Sequence, residues 1–146
     1  MATKSVKVEA ELLRVMRSIE HHLQSASKVM ARDVGVTGPQ RSVLRAIAKQ
    51  PGISASAVAE AVQLHASTIA GILSRLLERG LVSRIKSEDD ARKAVLHVTE
   101  AGKKVVDTRS VGPDNAIKRA LGRFSAGDVE TTMGVLEAVA AELAEK

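Results

Sequence analysis

Between residues 64 and 99 the chain reads LHASTIAGILSRLLERGLVSRIKSEDDARKAVLHVT, and its polar side chains fall into two groups whose spacing could do recognition chemistry. The first is Ser67, Thr68, Ser74 and Arg75, with Gly71 among them and His65 ahead of them. Hydroxyls and a guanidinium can hydrogen-bond base edges or phosphate oxygens, and small residues let a helix backbone sink into a major groove. The second is Arg84, Lys86, Asp90, Arg92 and Lys93, four cations and one carboxylate around a charged tip. A hairpin tip can enter a minor groove, where the negative potential of A·T-rich sequence attracts an arginine. Arg92 suits that role and Asp90 can hold it in place, while Glu88 and Asp89 point to solvent. Either group could also be plain solvated surface, so the elements that carry them have to decide the reading.

Those elements follow from the apolar pattern. At about 100° per residue, Ile69, Ile72, Leu73, Leu76 and Leu77 collect into a stripe roughly 140° wide, as a core-facing helix requires. Ser67, Thr68, Gly71, Ser74, Arg75 and Glu78 are left on the outer face. Gly80 can take the left-handed conformation that ends this helix, and strands are predicted at 81–85 and 94–98 around the tip at 86–93. Upstream, Ser54 can cap a short helix over SASAVAEAV with Val58, Ala59 and Val62 inward, and Gln63 and Leu64 make a brief turn. Two helices joined by so short a turn form a helix-turn-helix. The predicted fold is mainly α with a small β-hairpin wing, a winged helix-turn-helix flanked by N- and C-terminal dimerisation helices.

Over nearly its whole length the layout resembles the MarR family of winged-helix transcriptional regulators. GVTGPQ at 35–40 resembles the start of that family's second helix, STIAGILSRLLERGLV its recognition helix, and DARKAVLHVTEAG its wing and exit. The wing pattern of aspartate, any residue, arginine and then a strand ending in Leu-Thr falls on Asp90, Arg92 and Val98-Thr99. The chain departs from the pattern twice: Gly71 stands where a basic residue is frequent, and Arg41 stands where an aromatic residue often follows Pro-Gln. The resemblance implies a dimeric cytoplasmic regulator, usually a repressor, often released from DNA by a small anion or by oxidation.

Composition is compatible with this. The 146 residues contain one Phe, no Trp or Tyr, and 45% hydrophobic residues, so the core must be aliphatic. The absence of Cys removes thiol oxidation, disulfides and thiolate metal sites together. No apolar run approaches a membrane span and the first eight residues have no signal-peptide core, which predicts a cytoplasmic protein with no membrane partner. Of the net charge of +5, residues 37–99 hold nine Lys or Arg against five Asp or Glu, whereas 100–146 hold seven against eight. The excess lies on the segment argued to read DNA.

The flanks (residues 1–36 and 100–146) carry a second signal. Leu12, Met16, Ile19, Leu23, Ala26 and Met30 recur at steps of four and three, as do Val129, Met133, Leu136, Ala140 and Leu143. Such seams suit helices that pack on each other and on a second copy, so a homodimer is expected. Thr99 can cap a helix from Glu100 to about Ser110, Gly112-Pro113 then makes a hinge or a loop, and Ser125 with Asp128 can open the last helix.

Catalysis finds no support: there is no glycine-rich phosphate loop, nucleophile elbow or cluster of carboxylates and histidines, and no cofactor is implied. His21 and His22 are adjacent on a helix and project about 100° apart, so they cannot share a metal, and no metal site is assigned. Arg17, His21, Arg41 and Arg45, with Ile47, are candidates for a small anionic ligand between the flanking helices and the winged head. The expected activity is sequence-specific binding of a pseudo-palindromic double-stranded DNA site. The competing class is a winged helix whose polar face meets a protein partner, and steep salt dependence separates the two.

Overall fold

The computed structural model describes residues 2–90, 93–108 and 112–145. Among these residues the order is α1 (Ala2–Asp33), α2 (Gly38–Lys49), α3 (Ala55–Val62), α4 (Ala66–Glu78), β1 (Val82–Lys86), β2 (Ala94–Val98), α5 (Glu100–Asp107), α6 (Pro113–Leu121) and α7 (Ala126–Ala144). The chain divides into two compact units, Met1–Val111 and Gly112–Lys146.

In the first unit α2 is the central element, packed against α1, α3, α4, α5 and β2. Its start is over-determined. Thr37 accepts a hydrogen bond from the Gln40 amide, the Gln40 side chain accepts one from the Thr37 amide at 3.0 Å, and Pro39 lies in the first turn. Ser27 of α1 adds a partner for the Gly38 amide at 2.8 Å, so a residue eleven positions away satisfies another of the helix's orphan donors. Val43, Leu44 and Ile47 of α2 are fully buried with Val36, Val58, Ile69, Leu76 and Leu96, giving the all-aliphatic core the composition required. At such sites truncating one leucine to alanine costs about 2 to 5 kcal/mol.

Ser54 caps α3 through the Ala57 amide, and α3 ends at Gln63, which has φ +53°. That left-handed residue makes the turn into α4 as short as a helix-turn-helix needs. Gly80, at φ +65°, turns the chain from α4 into the wing. The strands pair antiparallel with Val82 opposite Val98 and Lys86 opposite Ala94, so β1 begins one residue later than expected. Leu81 is buried at the wing root and its amide still turns back to the Leu76 carbonyl at 2.9 Å, closing the end of α4 before the ladder starts. Ile53 bridges Leu96, tying the α2–α3 loop to the outer side of the hairpin.

Thr99 joins the wing to α5 twice over: its hydroxyl donates to the Gly80 carbonyl at 2.6 Å and accepts from the Gly102 amide at 3.1 Å. The helix it opens stops at Asp107, three residues short of the expected Ser110. The Thr108 amide and hydroxyl both turn back to the Lys104 carbonyl, closing the last turn.

The second unit contains α6, which the sequence reading did not assign, and α7. Gly112 is the N-cap of α6 and Pro113 its first-turn residue, so the Gly-Pro pair starts a helix at the unit boundary. The capping box of α7 forms as expected, Ser125 accepting from the Asp128 amide while the Asp128 carboxylate accepts from the Ser125 amide. No residue of α6 or α7 is buried.

Candidate nucleic-acid interface

The outer face of α4 is what the periodicity predicted. Ile69, Leu73 and Leu76 are buried, Ile72 and Leu77 are half-buried, and Ser67, Thr68, Gly71, Ser74, Arg75 and Glu78 are all exposed. His65 is the N-cap residue, but its imidazole makes no capping hydrogen bond, so the exposed ring stands at the positive end of α4. Ser74 donates to the Glu78 carboxylate at 3.2 Å, a local contact one turn along the same face. Beyond its own neighbours and the backbone of its helix, Gly71 has nothing within 4 Å of where a Cβ would lie.

On the wing, Arg84, Lys86 and Lys93 are exposed. Arg84 lies opposite Leu96 in the ladder and turns toward α4. There it lines, with Ser56, Ala66, Ala70 and Ser74, a cleft of about 350 Å³ between α3, α4 and the wing, floored by Ile69, Leu73 and Leu96. The tip is closed by the Lys93 amide donating to the Asp90 carbonyl at 2.9 Å and the Ser87 amide donating to the Lys93 carbonyl at 2.8 Å. Arg92, the expected minor-groove reader, lies outside the described residues.

Ser56 and the cleft escaped the sequence reading. Their signal is three-dimensional, because the lining comes from four elements with no shared motif. Arg79 was also missed: it follows α4 and donates to the carbonyl of Gly35, pinning the end of α4 to the loop between α1 and α2.

The residues proposed for an anion are placed differently from one another. Arg17 and His21 are exposed on α1, with the His21 ring edge-on to that of His22 at 5.4 Å, and Arg45 is exposed on α2. Ile47 is fully buried in the core. Arg41 is buried and donates to the carbonyls of Thr108 at 2.6 Å and Val106 at 3.3 Å, so it caps the C-terminal end of α5 from another helix. The described residues contain no group of three or more side chains able to hold a metal. Nor, among the described residues, is any helix long and apolar enough to cross a membrane.

Ion pairs on exposed helix surfaces include Glu11 with Arg14, Asp33 with Arg32 and Glu100 with Lys103. Glu11 beside Arg14, Asp33 beside Arg32 and Glu100 beside Lys103 are each held below the usual carboxylate range, first by the hydrogen bond from that partner and with its charge adding to the effect.

Comparison with known proteins agrees with this architecture. Residues 34–93, from the start of the core to the wing tip, match the model of the MarR family. The transcriptional regulator HosA of Escherichia coli O127:H6 is 38% identical over 98 residues, covering 67% of this chain and 73% of that protein. Among solved structures, the transcriptional regulator PcaV of Streptomyces coelicolor, in complex with its natural ligand, superposes with a TM-score of 0.71 at 28% identity, over 87% of this chain and 89% of that one. MepR of Staphylococcus aureus, solved as a DNA complex, has the same fold, with a TM-score of 0.73 at 20% identity over 89% of this chain and 96% of that one. With its helix-turn-helix, its wing and these relatives, the chain belongs to the MarR family of transcriptional regulators.

Proposed function

We propose that the protein is a homodimeric, sequence-specific reader of double-stranded DNA that represses transcription and is released by a small anionic effector. The observation that carries this reading is the convergence of two exposed polar surfaces. Arg84 of the wing and Ser74 of α4 line one cleft, so the recognition helix and the hairpin present a continuous surface to one partner. In this reading Ser67, Thr68, Gly71, Ser74 and Arg75 enter a major groove and His65 meets a phosphate at the start of α4. Arg84, Lys86, Asp90, Arg92 and Lys93 serve the wing beside it.

The organisation that fits is a dimerisation helix over 1–36, a winged head over 37–99 and dimerisation helices over 100–146. Its support is the apolar surface that a lone chain leaves in water. On α1, Val8, Leu13, Ile19 and Leu23 are exposed at 63, 48, 52 and 41%. In the second unit Ile117, Phe124, Met133 and Leu143 are exposed at 49, 63, 49 and 66%. Val8, Ile19 and Leu23 fall within about 60° on one side of α1, and an apolar stripe of this kind suits an interface. A symmetric dimer would set two recognition helices about 34 to 36 Å apart, which calls for a pseudo-palindromic operator. The effector reading rests on the exposed Arg17, His21 and Arg45, since Arg41 and Ile47 are buried, and on a relative, PcaV, solved with its natural ligand.

Selection of bound duplexes from a random pool, followed by anisotropy titrations at two salt concentrations, tests the proposal. An inverted repeat with half-centres about one turn apart and a steep fall of affinity with salt is expected. Failure to enrich any sequence would refute it and favour a protein partner for the same face.

A further inference from the structure

We infer that Gly71 sets how deeply helix α4 seats in the major groove, its missing side chain being the space that a base edge occupies. This deepens the DNA-binding reading and rests on it.

Glycine is the least favourable residue in a helix interior after proline, because fixing its backbone costs the most entropy. Where a protein retains one there, the usual structural reason is crowding. Gly102 shows that case: a Cβ would lie 2.1 Å from the Leu81 carbonyl oxygen. Gly71 shows the opposite. It occupies the sixth position of the thirteen-residue α4, its φ lies outside the left-handed range, and beyond its own neighbours and the backbone of its helix an added Cβ would meet nothing within 4 Å. Nothing inside the protein therefore requires glycine at 71. The position is left open to a partner from outside the chain.

The neighbours on that face specify the partner. Thr68 and Ser67 lie three and four residues before Gly71, while Ser74 and Arg75 lie three and four after, all exposed. On a helix these four positions surround residue 71 on one face. Gly71 is thus the floor of a shallow notch walled by hydroxyls and one guanidinium. Base edges with their donors and acceptors, and the thymine methyl group, are of a size and chemistry to enter it. With the helix seated there, Arg75 starts closer to the groove floor than a side chain at 71 would allow.

The test is a graded series, Gly71→Ala and Gly71→Met, measured for thermal stability and for binding to the selected operator and to a scrambled duplex. Gly71→Ala should raise the unfolding midpoint by roughly 2 to 4 °C, reporting an intact and better helix. It should lower operator affinity about tenfold or more, and Gly71→Met should lower it further. Binding to the scrambled duplex and the salt slope should hardly change, because no phosphate contact is removed. Operator affinity unchanged or improved in Gly71→Ala, with the midpoint raised, overturns the inference while leaving the DNA-binding reading intact. Failure of the unsubstituted protein to bind any selected duplex overturns that reading itself.

Discussion

Replacing Gly102 by alanine should destabilise the protein by about 2 kcal/mol, although alanine is the better helix former. Gly102 sits in the first turn of α5, where its amide donates to Thr99, and the turn lies flat on the wing root. A Cβ there would lie 2.1 Å from the Leu81 carbonyl oxygen and 2.6 Å from Val98 Cγ1. Ordinary non-bonded separations are roughly 3.5 Å, so α5 or the wing would have to move by more than about 1 Å. The Leu81 carbonyl cannot swing aside cheaply, because it accepts the Thr99 amide. Overpacking costs typically about 1 to 3 kcal/mol and this contact belongs at the upper end, while helix propensity returns about 1 kcal/mol. The net of about 2 kcal/mol corresponds to a midpoint lowered by about 4 to 8 °C in a chain of this size. Scanning calorimetry of the two proteins side by side measures it. A midpoint equal to or above that of the parent would show that the α5–wing contact yields freely, and the reasoning from close approach would fail.

Four further outcomes are expected. Arg75→Ala should cost about 1 to 3 kcal/mol of operator binding if the guanidinium reads a guanine bidentately, and an equal loss on every sequence would assign it to phosphate instead. Thr37→Ala removes the hydroxyl of the α2 capping box and should cost about 1 kcal/mol in denaturant unfolding, with Thr37→Ser close to parent; equal midpoints for all three would mean that Ser27 and Pro39 suffice. Arg41→Met keeps the bulk but strips two carbonyls at the end of α5 of their donor, for an expected loss of about 1 to 3 kcal/mol, and an unchanged denaturation midpoint would refute the clamp. Glu100, held low by its hydrogen bond from Lys103 and by that residue's charge, contributes stability present above its unfolded pKa and lost as the pH falls through its lower folded value. A carboxyl titration followed by NMR should therefore move up in Lys103→Ala, and no movement would show the pair to be idle.

Much of this protein is written locally in its chain. The apolar stripe of α4, Ser54 before α3, Gly80 after α4, Thr99 before α5 and the Ser125–Asp128 box each act within one or two turns, so neighbouring residues suffice to identify them. That is why the helix-turn-helix, the wing and the polar face were legible without coordinates. Tertiary structure decided what depends on residues far apart in sequence. Arg41 reads as a surface cation suited to an anion, yet folding buries it and presents it with carbonyls 65 and 67 residues away. Gly71 and Gly102 look alike as helical glycines, and only packing distinguishes open space from a 2.1 Å approach. The pairing of Arg84 with Ser74 around one cleft, and of Ile53 with Leu96, likewise requires the hairpin to lie against α4 and the α2–α3 loop. Periodicity and capping are short-range and survive in one dimension. Close approach, burial of charge and the shape of a binding surface arise only when distant segments are brought to van der Waals contact.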